Sequence, residues 1–127
     1  MRLLLDTHVL LWWLADDRRL KVSERRAIAD REALVYVSAA SVWEIAIKRG
    51  LGRLEIDPED LQREMDAGGL VELSIRWRHA KRTADLPRHH DDPFDRLLVA
   101  QAQAEGLVLV TYDAAFRAYD LATLPSV

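Results

Sequence analysis

The sequence predicts an α/β fold, a three-layer α/β/α arrangement in which helices cover both faces of a central parallel sheet of four to five strands. Two observations carry that prediction. Short, almost unbroken apolar runs such as Leu3-Leu4-Leu5 and Leu107-Val108-Leu109-Val110 lack the alternation of a half-solvated strand and suit strands buried on both faces. Segments with apolar residues at helical spacing separate these runs, the order that produces parallel strands joined by crossover helices. At 127 residues, half of them apolar, the chain suits one domain, residues 1–127, burying roughly two-thirds of its unfolded surface.

The first strand, residues 2–5, closes at Asp6. Residues 7–15 form a helix that is apolar nearly all round, through Val9, Leu10, Trp12, Trp13 and Leu14, so heavy burial is expected, with His8 hydrogen-bonded in the core. Residues 23–32 form a helix capped by Ser23, and residues 33–37 a second strand rich in β-branched and aromatic side chains. Residues 38–49 then carry Val42, Trp43, Ile45 and Ile47 on an amphipathic helix that Gly50 stops. Pro58 opens a helix over residues 57–67, and Gly68-Gly69 ends it. Residues 70–75 supply a third strand, and the basic segment 76–86 is helical up to Pro87. Residues 92–105 give the sharpest helix signal, with Asp92 as cap, Pro93 at the first position and Gly106 as stop. Residues 107–110 make a fourth strand, and a short helix follows over 113–119.

The formal charge of −3 argues against binding a polyanion through net charge alone, but the charge is unevenly spread. Residues 18–26 and 76–90 each carry a net +4, whereas 55–66 carry −5. Such polarity can set a nucleic-acid strand beside a cation site in an acidic protein. The absence of cysteine excludes disulfides and thiolate metal sites, and the four histidines make no zinc-finger or HExxH pattern. The apolar amino-terminal stretch is broken by Asp6 and His8 and carries no cleavage signature, so it reads as folded core. No segment approaches a membrane span, and the cytoplasm is the expected compartment.

Asp6, Glu44, Asp95 and Asp113 carry the chemistry. Each lies past a strand end or in the first turn of a helix, where acids cap free N–H groups and complement the helix dipole. Ser41-Val-Trp-Glu44 matches a capping box, and Asp92-Pro-Phe-Asp95 resembles one. Capping alone does not explain why all four fall where a parallel sheet gathers its carboxyl ends. Clustered carboxylates repel unless a proton or a cation neutralises them, and an all-oxygen donor set favours Mg²⁺ or Mn²⁺. These four acids are therefore the expected ligands of one or two such ions.

The segments LLLDTHVLLWWL, VSAASVWEIAIKRGLGRL and HHDDPFDRLLVAQAQAEGLVLVTYD resemble the PIN-domain family, in particular the VapC-like toxins of bacterial toxin–antitoxin pairs. The resemblance spans essentially the whole chain. It implies a PIN-like fold and a metal-dependent endoribonuclease that hydrolyses RNA phosphodiesters with a metal-activated water. Asp6, Glu44, Asp95 and Asp113 would be its catalytic, metal-binding acids, and the hydroxyls of Thr7, Ser41 and Thr111 would support them. It further implies a homodimer and a small antitoxin protein that blocks the site.

On this reading RNA would enter over Arg76, Arg78, Lys81, Arg82 and Arg88, with Lys48 as either a phosphate contact or a solvated helix residue. Either Asp95 or Asp113 would orient the water. His89 and His90 precede a helix in a loop, where histidines are ordinarily solvated; phosphate or partner contact is the functional alternative. Trp12, Trp13 and Trp43 fall in apolar helix patterns and read as core or dimer contacts, whereas Trp77, between Arg76 and Arg78, is the candidate for base stacking. The chief alternative is a catalytically silent protein of the same fold that binds RNA or a partner. Such a module has no need to concentrate like charges.

Overall fold

The computed structural model describes residues 1–126, with Pro58 described by its backbone alone. Five strands, β1 (Arg2–Leu5), β2 (Leu34–Ser38), β3 (Val71–Leu73), β4 (Val108–Val110) and β5 (Thr123–Leu124), form one sheet in the order β3-β2-β1-β4-β5. Every pairing is parallel. The central strand β1 sets Leu3 against Val35 on one side and Val108 on the other. The strand order reverses at the β1–β4 boundary, the place where open α/β sheets leave a crevice beyond their carboxyl ends.

Among the described residues six α-helices flank the sheet: α1 (Thr7–Leu14), α2 (Val22–Ala29), α3 (Ala39–Gly50), α4 (Pro58–Ala67), α5 (Trp77–Arg82) and α6 (Pro93–Glu105). Alternate strand residues serve opposite layers, as the two-residue period of a strand requires. Leu3, Leu5, Val35, Val37 and Val110 face a core completed by Leu10, Ile28, Ile45 and Leu61. Leu4 and Leu109 face the other core, with Leu98, Val99, Phe116 and Tyr119. Both faces of β1 are thus covered, which is why its run is apolar without alternation. Among the described residues no helix is long and apolar enough to cross a membrane.

Several helix ends differ from the sequence expectation. Ser23 does not cap α2, which starts at Val22 after Lys21; the Ser23 hydroxyl donates instead to Glu24. Helix α3 is capped by Ser38, whose Oγ accepts from Ala40 N–H. Ser41 therefore lies inside the first turn, and the Ser41–Glu44 capping box does not form. Gly50 is the last helical residue, and the left-handed turn falls two residues later at Gly52, where φ is 73°. Gly106, with φ of 66°, ends α6 as expected, in a conformation that a side chain would strain. The basic segment forms α5 and then a 3₁₀ turn at Thr83–Asp85, and the last predicted helix is a 3₁₀ turn at Ala114–Ala118.

Candidate functional site

Asp6 leaves the end of β1 and divides its two oxygens between structure and site. Oδ1 accepts from Val9 N–H at 2.7 Å, capping α1, while Oδ2 accepts from the Thr111 hydroxyl at 2.5 Å. Thr111 follows β4, so this bond ties the two central strand ends together. Its Oγ1 in turn accepts from Asp113 N–H at 3.1 Å. Asp113 repeats the division: Oδ1 caps the following 3₁₀ turn at Ala115 N–H, and Oδ2 faces His90. Capping and site formation are therefore compatible, because a carboxylate has two oxygens.

Glu44 enters from α3. Its Oε2 pairs with Lys48 Nζ at 3.0 Å one turn on, yet Oε1 is buried and has no hydrogen-bond partner. Ser41, on the same helix, bonds the Thr7 hydroxyl at 3.0 Å and locks α3 to α1 beneath the acids. Lys48 is thus engaged with a site acid in addition to being partly exposed.

Asp95 projects from the first turn of α6, which Asp92 caps through Phe94 and Asp95 N–H. Its Oδ2 lies 3.0 Å from His90 Nε2, and that same nitrogen is 3.3 Å from Asp113 Oδ2. The Asp95 carboxyl is pushed up to about 7, first by burial and then by the negative charges of Asp92, Glu44 and Asp6, against an opposing effect of His90. Burial also raises Asp6, with Asp113 adding repulsion. The four sequence-distant acids therefore feel one another at a single sheet edge.

That arrangement fits a hard divalent cation. A buried carboxylate oxygen without a donor, and two acids raised by burial and by neighbouring negative charge, are what a positive guest would relieve, and the four acids supply only oxygen. Among the described residues, His90, Asp95 and Asp113 each present an atom within 4.8 Å of the others.

Other residues depart from expectation. His90 is a site residue that the sequence reading underweighted; the available signal was its place two positions before a capping aspartate whose N–H it can accept. His8 is exposed and lies tilted against Trp12, ring centroids 6.0 Å apart, so the expected core hydrogen bond gives way to a surface position. Trp43 is 60% exposed and meets Phe94 edge-on, so it is not core. The basic segment is not one patch. Arg78 pairs with Glu105 and Arg82 bonds Gln103 at the carboxyl end of α6, about 15 Å along the helix from Asp95. Arg76, Lys81 and Arg88 are exposed, and Arg88 lies two residues from His90.

The PIN domain model matches residues 3–121. Ribonuclease VapC22 of Mycobacterium tuberculosis is 32% identical over 118 residues, covering 91% of this chain and 90% of that protein. Among solved structures, VapBC2 from Rickettsia felis, bound to a promoter DNA fragment, superposes with a TM-score of 0.72 at 17% identity over 97% of each chain. DNA-bound VapBC from Salmonella typhimurium gives 0.68 at 18% identity, over 97% of this chain and 96% of that one. At such identities these two establish likeness of fold. With its five parallel strands and its matched length, the chain belongs to the PIN domain family.

Proposed function

We propose that the chain is a divalent-metal-dependent endoribonuclease, the toxin of a toxin–antitoxin pair, with Asp6, Glu44, Asp95 and Asp113 holding Mg²⁺ or Mn²⁺. The observation that carries this reading is the buried, partnerless Glu44 Oε1 within a group of mutually repelling acids. The similarity to a protein named a ribonuclease supports the substrate class. When bound, such a cation supplies an activated water and offsets charge on the phosphate.

The chain's own residues do the positioning. Val9 N–H and the Thr111 hydroxyl fix both oxygens of Asp6, and the Thr7–Ser41 bond holds the helix that carries Glu44. Asp95, with Oδ2 turned to His90, would meet the cation through Oδ1. Either Asp113, which is half exposed, or Asp95 would orient the attacking water. Arg88, with Arg76 and Lys81 farther out, would contact phosphates, and Trp77, 89% exposed, would stack on a base. A small antitoxin partner follows from the relatives named VapBC. Trp43, Ile47 and Leu51 expose a helical stripe of apolar surface, which supports a homodimer. The cytoplasm is the proposed place of action.

Incubation with structured and single-stranded RNAs in Mg²⁺, Mn²⁺ or chelator tests the proposal. Cation-dependent cleavage lost in Asp6→Asn is expected. Equal cleavage by that variant would assign the activity to a contaminant and overturn the reading.

A further inference from the structure

His90 is held from four directions, more tightly than a solvated loop residue requires. Its backbone N–H donates to the Tyr119 hydroxyl at 2.9 Å, and its carbonyl accepts from the Arg96 guanidinium at 3.3 Å. The ring lies against Phe116, with centroids 5.5 Å apart, and both Phe116 and Tyr119 are buried. On the side away from the acids, Nδ1 accepts the Asp92 backbone N–H at 3.2 Å. That last bond decides the chemistry of the other nitrogen. An Nδ1 that accepts must offer a lone pair, so the ring proton sits on Nε2, which hydrogen-bonds Asp113 Oδ2 at 3.3 Å and lies 3.0 Å from Asp95 Oδ2.

We infer that His90 is a positioning residue whose Nε2–H is bonded to Asp113 beyond β4 while the same ring edge rests against Asp95 on α6, and that it remains a hydrogen-bond donor, off the metal, when the cation is bound. The inference rests on the cation-dependent reading above and adds to it the means by which two of the acids are held together.

Two repelling carboxylates from segments far apart in sequence would otherwise spread, and an N–H bonded to one with its ring edge 3.0 Å from the other holds them at a spacing a cation can use. Ligation by Nε2 would need the proton to move to Nδ1, where it would meet the Asp92 N–H head to head and break that bond. The donor set left to the ion is accordingly oxygen, which suits a hard cation.

The test uses the whole protein, labelled with ¹⁵N, without cation and with Mg²⁺. Imidazole ¹⁵N–¹H correlation is expected to place the His90 proton on Nε2, with Nδ1 an acceptor, in both states. By calorimetry, His90→Ala should weaken Mg²⁺ binding about 10- to 100-fold, the range for residues that orient metal ligands, while His90→Gln, which places an amide N–H near the same point, should recover part of the loss. Spin-echo modulation on the Mn²⁺-loaded protein should show no directly coordinated nitrogen. Wild-type Mg²⁺ affinity in a folded His90→Ala protein, a coordinated nitrogen on Mn²⁺, or a proton on Nδ1 would overturn the assignment while leaving the nuclease reading intact. Failure of the wild type to take up either cation would overturn the nuclease reading itself, and this inference with it. Should His90→Ala not fold, the tautomer measurement and the His90→Gln variant still decide.

Discussion

Asp95→Asn is expected to stabilise the cation-free protein at neutral pH while abolishing its response to Mg²⁺. The Asp95 carboxyl is raised from its ordinary 3.8 to about 7, chiefly by burial. Between about pH 4 and pH 7 the unfolded chain releases a proton that the folded protein retains, so stability falls as pH rises through that window and the full cost is present above it. Complete conversion of the shift corresponds to a ceiling of about 4 kcal/mol. The side chain is 21% exposed, and allowance for solvent screening brings the effect to about 2 kcal/mol. Asparagine keeps the shape and a carbonyl acceptor for His90 but carries no charge. Scanning calorimetry in chelator should therefore show a rise in Tm of about 6–10 °C for the variant at about pH 7.5, shrinking to little at about pH 4. Added Mg²⁺ should raise the wild type and leave the variant unmoved. A gain of equal size at both pH values, or a loss at neutral pH, would refute the claim that Asp95 contributes the cost of a buried charge.

Glu44→Gln should keep the fold, because the partnerless Oε1 contributes no hydrogen bond, and should weaken Mg²⁺ binding by at least about tenfold in calorimetry. Thr111→Val leaves Asp6 Oδ2 buried without its donor and is expected to lower stability by about 1–3 kcal/mol in urea unfolding, with cleavage falling alongside. Ser38→Ala removes both the α3 cap and the 2.5 Å bond to Gln101 on α6, a loss of about 1–2 kcal/mol measurable by the same method. Trp77→Ala should leave stability within about 0.5 kcal/mol and weaken single-stranded RNA binding about tenfold; unchanged binding would take Trp77 out of the substrate path.

The order of strands and helices was legible because burial on both sheet faces writes itself as unbroken apolar runs, and β1, β2 and β4 lie within a residue of where those runs predict. The short strand β5 was not, since Thr123 and Leu124 become a strand only by pairing with Leu109 and Val110. That Asp6, Glu44 and Asp113 share one sheet edge followed from parallel topology, whereas Asp95 enters from the first turn of α6. How each is held did not follow from topology, because that depends on groups brought in from elsewhere: the Thr111 hydroxyl on Asp6, Lys48 on Glu44, His90 on Asp95. Ser38 and Ser41 illustrate the limit at residue scale. Both suit a helix start, and only the point where β2 ends, at Ser38, selects the first of them. The all-round apolar pattern of α1 likewise offered no polar face, so the outward turn of His8 had no local sign.

The central strand β1 lies at the beginning of the chain, yet one of its neighbours, β4, and two of the groups at its tip, Thr111 and Asp113, come from near the other end. During synthesis the first hundred residues emerge with Asp6, Glu44, His90 and Asp95 but without Thr111 and Asp113. The arrangement of acids at the tip of β1 is consequently complete only once residues 108–113 have emerged and inserted beside a strand made much earlier.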